Sequence, residues 1–568
     1  MIGVLAKEGE ARVVAEFFEL FKTPWEFWRA GRKYELVIIT CDQIPSDPGT
    51  DALVVYSSRP TRIDEQIGVV PEWVGSGGRA AWQGSEFPIC GEAMTFRCDG
   101  HTVIRSKSSV GILGSVIEAA QGTTVRVGFD LFGEVAFLLT CGQPAKDALV
   151  ATLDLQISLL RFILQSLRIP FVEVPPAPHG YDFVACLTHD VDFVGIRDHK
   201  LDHTLLGFLY RASLGSLVQA LRGRLAWSKC VQNWKAVLSL PLVYTGVVED
   251  FWLEFERYWE IEKDFGSTFY FLPFRDVAGR LGSASAPRRR AAKYDIKSIE
   301  AEIGGLIRKG CEIGLHGIDA WQDVEQARIE RKRVGEAAAR PIPGTRMHWL
   351  YWSQDSPGIL EDAGFSYDST FGYNDAVGFR AGTSQPFCPL NARSLLELPL
   401  NIQDSAMFYT DRMTLSEAEA LHACRHVIGT FAESGGALTV NWHTRSLSPE
   451  RLWDHFYGEL LGEIQKHRVW FGTAEEVVAW FRARRALAFD DVQFDEGGVR
   501  IALGGPDGAV QPPFNVRVYD PRISLDSAWL PRGVVAEKPW NGEGVVEIAY
   551  CRGDETRGSA LASPLGRA

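Results

Sequence analysis

The sequence predicts an α/β protein. Its middle is a parallel sheet, doubly wound or closed into a barrel, with a mixed α/β region before it and a small antiparallel β module after it. Three observations predict this. Between residues 181 and 485 short apolar runs alternate with amphipathic stretches of helical length, and strands separated by such helices form parallel sheets. The segment IPFVEVPPAPHG, residues 169–180, carries four prolines and a closing glycine and reads as a stiff, extended linker. After Ala486 the texture changes to β-rich runs between Gly, Pro and Asp turns, as in VQFDEGGVRIALGGPDGAVQPPFNVRVYD. The expected division is residues 1–170, 181–486 and 487–568.

In the first region, LVIIT (36–40) and ALVVY (52–56) read as strands, and 145–167 has the spacing of an amphipathic helix. WVGSGGRAAWQG (73–84) is glycine-rich without matching a phosphate loop and reads as a turn. In the middle region strands are expected at 183–188, 268–272, 312–315, 395–400, 438–442 and 469–471. Helices are expected at 296–309, 323–338, 357–363, 416–433, 449–467 and 474–485. The stretch 194–248 is longer than one crossover needs and rich in Leu, Trp and Arg, which predicts a helical insertion. The final dozen residues are small and polar and are expected to fray.

Composition excludes some classes of partner. The 568 residues are 46% apolar and 23% charged, with 59 Lys and Arg against 72 Asp and Glu, net −13. A chain this acidic has no global attraction for nucleic acid or anionic lipid. No apolar run has the length of a membrane span, and Glu8, Glu10 and Glu16 interrupt the start where a signal peptide needs its apolar stretch. The expectation is a cytoplasmic protein. Its ten cysteines are scattered without a C-x-x-C pair, as expected of reduced, buried thiols.

Functional side chains of parallel sheets gather beyond the C-terminal strand ends. The strand at 183–188 runs into His189, Asp190, Val191 and Asp192; the one at 312–315 ends at His316; the one at 438–442 ends at His443. Asp190 and Asp192 are two residues apart, so in extended backbone both carboxylates share one side, where a divalent cation would offset their repulsion. HDVD as a polar turn, capping a helix or pairing with arginine, is the competing reading, and each lone histidine could be a hydrogen-bonded structural residue. For His348, in RMHWLYW, packing against Trp349 or Trp352 competes. No G-x-S-x-G, H-E-x-x-H or G-x-x-x-x-G-K-[ST] motif occurs. The basic runs 288–290 and 331–333 read as solvated surface.

These motifs, in this order, resemble the polysaccharide deacetylase family of metal-dependent carbohydrate esterases, over roughly residues 181–485. The resemblance implies a distorted (β/α) barrel. CLTHDVDF resembles the motif that supplies the general base and a metal ligand, making Asp190 the base and Asp192 the ligand. STFYFLP is similar to the second strand, and CEIGLHGIDAW to the histidine motif, making His316 a ligand. RMHWLYWSQDSPGILEDAGFSYDST resembles the motif whose arginine orients the base, here Arg346. LLELPL is similar to the wall-forming motif, and LTVNWHTR to the one whose histidine is the general acid, here His443. The family's H-x-x-x-H is broken, because Ala320 stands four residues after His316; His348 is expected to complete a His/His/Asp site. The implied cofactor is a divalent metal, zinc by default, with cobalt, nickel or iron accepting similar ligands. Trp349, Tyr351, Trp352 and Trp442 are candidates for the substrate site, and Arg380, in GFRAGT, could contact substrate or lock the preceding loop. The three-part layout resembles a bacterial subgroup with an added N-terminal domain.

The implied activity is hydrolysis of an N-acyl, by expectation N-acetyl, group on an amino sugar of a polysaccharide or glycan precursor. A deformylase or amidase acting on a lipid- or nucleotide-linked sugar, and a catalytically silent carbohydrate-binding barrel, are the alternatives.

Overall fold

The computed structural model describes residues 1–549 except 43, 110, 120–121, 224, 496, 507–508, 523–533, 541 and 543; the terminal tail expected to fray lies outside the described residues. The middle of the chain is a curled, wholly parallel sheet. Its strands are β1 (Phe183–Val191), β2 (Ser267–Phe271), β3 (Glu312–Gly317), β4 (Gly344–Met347), β5 (Tyr367–Asp368), β6 (Leu396–Glu397), β7 (Ile402–Gln403), β8 (Ala437–Asn441) and β9 (Val469–Phe471). They pair in the order β6-β5-β4-β3-β2-β1-β8-β7, and β9 also pairs with β1. Its two ends, β6 and β7, are joined by residues 398–401 alone. From Glu397 to Ile402 the chain reaches at most about 18 Å, so the eight-strand sheet that runs from one to the other must curl into a half-barrel, its ends bridged by covalent chain rather than by a hydrogen-bonded ladder.

Every residue of β1 to β8 is buried, as expected of strands covered on both faces. The apolar members face a core built with the surrounding helices, among them Val324–Ala338 and Glu417–Ser434. Sequence periodicity located the long strands to within about three residues but missed β4, β5 and β7. A strand of two to four residues offers too few positions for alternation to register.

Two expectations outside the barrel are corrected. The glycine-rich 73–84 is no turn: it lies in the strand Val70–Trp82, paired antiparallel with Ser85–Arg97 in a nine-stranded sheet, and the chain reverses only at Gln83 and Gly84. Its glycines mark a register shift between Ser76 and Gly78, a bulge rather than a break. Nor is the proline segment a free linker. Phe171–Glu173 is a strand paired with Phe514–Tyr519, and residues 171–178 are buried. Glu173 is 1% exposed and accepts hydrogen bonds from Arg161, Arg517 and the Tyr519 hydroxyl. Apolar contact also joins the regions: Phe371, Ala381, Phe387 and Tyr519 share a core with Phe17, Leu131 and Leu160.

The region 194–248 is helical, as expected, with Trp227–Tyr244 its longest helix. After residue 486 the strand pairs are antiparallel. The thiol expectation holds in part: Cys186, Cys230, Cys311, Cys388 and Cys424 are free and buried, but Cys141 is exposed. No helix among the described residues is long and apolar enough to cross a membrane.

Two buried carboxyls in this barrel make its stability depend on pH. Glu312 accepts from the Tyr367 hydroxyl, the Thr268 hydroxyl and the Glu475 amide, while Glu330 accepts from the amides of Ile318 and Asp319. Burial pushes each up to about 7, outweighing these hydrogen bonds. The unfolded chain titrates near 4.3, so the native state binds the extra protons. Their stabilisation is full below that value and is lost as pH rises through about 7. The melting temperature is expected to fall by a few degrees between pH 5 and pH 8, and Glu312→Gln to flatten that slope; a thermal-shift series in both proteins checks it.

Candidate active site and metal centre

The site lies at the C-terminal ends of β1, β3, β4 and β8. Successive strand residues point to opposite sides, which sorts the HDVD run. His189 faces away and is wholly buried, bonded through Nδ1 to the Trp442 carbonyl at 2.8 Å and through Nε2 to Glu262 at 3.0 Å. Asp190 and Asp192 face the site together; β1 continues through Val191, so the run is strand up to there, and Asp190 pairs with Arg346 as the competing reading had it.

Asp192, His316 and His348 form a set whose ligand atoms lie within 4.8 Å of one another. Asp192 Oδ1 is 3.3 Å from His316 Nε2 and 3.4 Å from His348 Nε2. The His316 Nδ1 lies 2.9 Å from the Arg346 carbonyl, and only a protonated Nδ1 makes a hydrogen bond there. In the neutral ring that tautomer turns the Nε2 lone pair toward Asp192. His348 is driven down to about 3 by burial, so its imidazole is neutral. Asp192 Oδ1 is buried without a hydrogen-bond donor. Two imidazole Nε2 atoms and a carboxylate oxygen without a donor therefore converge, a set that a cation held by the neutral rings would satisfy. The residues fit a divalent metal.

Asp190 is next to the set, its Oδ2 3.9 Å from His316 Nε2. Burial would raise its pKa, but His316, Arg346 and His443 together hold it below the usual carboxylate range. Arg346 Nη1 donates to its Oδ1 at 3.1 Å and Asn441 Nδ2 to its Oδ2 at 2.8 Å. Arg346, wholly buried, is fixed by further bonds to Thr188 Oγ1, the Ser369 carbonyl and Ser369 Oγ. On the other side, His443 Nε2 is 3.9 Å from Asp192 Oδ2, and its Nδ1 is 2.6 Å from Asp404 Oδ1. Burial would depress this histidine, but the Asp404 carboxylate holds it well above its ordinary value. The site thus sets an ionised carboxylate and a protonated imidazole on either side of a cation-binding set.

The structure brings together Asp190, Asp192, His316, Arg346, His348 and His443. Sequence reasoning missed Asn441, Asp404 and Arg290. Asn441 had a signal, sharing the site-facing register with His443 two residues on. Asp404 follows a two-residue strand and had none. Arg290 corrects the solvated reading of 288–290: it is 1% exposed and donates to the carbonyls of Ala278, Ile318 and His348 at 2.7 to 2.9 Å. Arg290→Met leaves three buried carbonyls without donors, each worth about 1.5–3 kcal/mol with a charged partner. It is expected to lower stability by several kcal/mol and metal affinity roughly 10- to 100-fold, read by denaturant unfolding and metal titration.

One of the proposed substrate contacts is corrected, and the others have the following neighbours. Trp442, the residue after β8, lies between the two site-facing residues and is fully buried, stacked on Tyr457 at 5.0 Å. Trp352 packs on Phe371 at 5.0 Å. Arg380 locks its loop, donating to the Gly372 carbonyl at 2.9 Å with its guanidinium over Phe371. Tyr351 is half-buried under the Arg290 guanidinium. Trp349 is the half-exposed aromatic beside the ligands, 5.8 Å from the His348 ring. Trp349 and Leu350 both have left-handed backbone, φ 64° and 53°, and this tight reversal turns the chain immediately after His348. Ala320 is buried in the apolar core, and Asp319 is engaged by the Arg280 amide and Gln322, so neither faces the set.

Neither a protein-family model nor a curated protein matches the chain. Among solved structures it is similar to a Mycobacterium smegmatis protein described as a polysaccharide deacetylase, at 20% identity and TM-score 0.35, covering 55% of this chain and 96% of that one. It is similar to Puue allantoinase at 12% identity and TM-score 0.33, covering 54% and 92%. A polysaccharide deacetylase from Bacillus cereus aligns at 11% identity and TM-score 0.24, covering 51% and 91%.

Proposed function

We propose that the chain is a metal-dependent hydrolase that removes an N-acyl group, N-acetyl first of all, from an amino sugar of a polysaccharide or glycan precursor. One observation carries this reading: Asp190, held by Arg346 and Asn441, and His443, held by Asp404, flank a single cation-binding set. Amide hydrolysis needs both, a base to take a proton from water and an acid to protonate an otherwise very poor amine leaving group. A divalent ion held by Asp192, His316 and His348 would supply a water of lowered pKa and positive charge for the amide oxygen. Asp190 takes the water proton while Arg346 and Asn441 keep its carboxylate aimed. His443 delivers its proton from Nε2, and Asp404 stabilises the charged ring before transfer. Zinc suits a His/His/Asp set, and cobalt, nickel and iron share those ligands. Trp349 beside the ligands is positioned to stack on a sugar ring, and the motif order in the sequence supports a sugar substrate.

The test combines metal analysis of the purified chain with acetate and formate release from a panel of N-acetyl and N-formyl glycans, free and lipid- or nucleotide-linked. The proposal expects one ion per chain and acetate release. Formate release alone would move the reading to a deformylase. An absence of both metal and product would leave a silent carbohydrate-binding barrel.

A further inference from the structure

The helical insertion leaves the sheet just after Asp192 and carries a second apolar surface that the fold does not use. Its first arm runs through His203–Tyr210, the π-turn Arg211–Gly215 and Ser216–Leu221; its second arm is Trp227–Tyr244. The inward faces pack Leu205, Phe208, Leu240 and Val243 around Trp252, which closes the core of the hairpin. The outward faces repeat the pattern at helical spacing. Leu206, Tyr210 and Leu214 are 57%, 64% and 62% exposed on one arm; Val231, Trp234 and Leu238 are 48%, 41% and 79% exposed on the other. The Trp234 indole donates to the Ser213 carbonyl at 3.3 Å, which sets the second row against the first. An exposed apolar surface of this extent marks a contact with something.

Charge identifies the occupant. Residues 200–248 hold six Lys or Arg and one Asp, within a chain of net charge −13. Lys200, Arg222 and Lys235 are exposed around the apolar rows, while Arg211, also exposed, pairs with Glu450. Apolar rows edged by basic side chains are complementary to a bilayer surface bearing anionic headgroups. They are poorly suited to a second copy of this chain, which would bring two basic hairpins together. The overall acidity excludes global attraction to such a surface but leaves this local one intact.

We propose that this hairpin docks the protein on an anionic lipid bilayer, lying in the interface and not crossing it. The hairpin is tied to the loop that begins at His443: Asn233 Oδ1 accepts from the Glu450 amide at 2.6 Å, and Lys229 Nζ donates to the Leu452 carbonyl at 3.0 Å. Docking would therefore place the bilayer across the hairpin from that loop. It requires nothing of the reaction proposed above.

The experiment is co-sedimentation of the full chain with phosphatidylcholine vesicles and with vesicles containing 30% phosphatidylglycerol, alongside light scattering of the protein alone. The expected result is at least tenfold tighter binding to the anionic vesicles. Leu206→Glu with Leu238→Glu should weaken that binding at least tenfold at an unchanged melting temperature. Lys235→Glu, on the polar edge, should reduce the anionic preference and serves if the double variant does not fold. Failure to bind anionic vesicles, or equal binding by parent and folded variant, overturns the proposal. So does a two-chain mass that the variant reduces to one, which would assign the surface to self-association.

Discussion

Asp190→Asn is expected to lower kcat by about 10²- to 10⁴-fold, the usual contribution of a positioned base, while the chain still binds one metal ion. The carboxamide has nearly the shape of the carboxylate but no basicity, and the three ligands Asp192, His316 and His348 are untouched. Its oxygen can still accept from Arg346 Nη1, but its amide nitrogen then meets Asn441 Nδ2, so Asn441 must flip. The variant also leaves Arg346 fully buried without its counter-charge. Removing one partner of such a pair costs about 3–5 kcal/mol, so the rates are to be compared well below the variant's melting temperature. Metal analysis beside kcat separates loss of the base from loss of the site. Equal kcat in the two proteins would remove Asp190 from the proposed role.

His348→Ala is expected to lower metal affinity by more than the roughly 10- to 100-fold that outer partners contribute, and activity with it. Titration of the metal-free chain followed by elemental analysis checks this. The paired variant is Ala320→His, which restores the spacing H-x-x-x-H but not its geometry. Ala320 is fully buried in the apolar core, and an imidazole there overpacks it at a cost of about 1–3 kcal/mol. Placed in the His348→Ala background, it is expected not to recover metal binding. Undiminished metal content in His348→Ala would dismiss His348 as a ligand.

The candidate site was legible where strand periodicity is strict. Asp190 with Asp192, and Asn441 with His443, share a face because the strand alternation carries on one or two residues past Val191 and Asn441, and the same alternation turns Trp442 away from the site. It was illegible where a residue acts through a distant backbone. Arg290 looks like any residue in an RRR run, yet it grips the carbonyls of Ile318 and His348, 28 and 58 positions away. Asp404 follows a strand too short to be seen, and the strand placing Arg346, β4, is only four residues long. The proline segment misled for a related reason: prolines stiffen a chain equally in a linker and in a buried edge strand.

By itself the sequence determined the order of the longer strands and helices in the middle region, the helical nature of the insertion, and which of those strand ends carry carboxylates and imidazoles. Those follow from hydrophobic periods and chain order, which are local properties. Only the tertiary structure decided that His348 faces Asp192 while Ala320 lies in the core. It alone set Arg346 and Asp404 to hold Asp190 and His443 in opposite charge states, and left one face of the insertion uncovered. Those depend on how far the sheet curls and on what burial does to a charge, and neither is written in the spacing of residues along a chain.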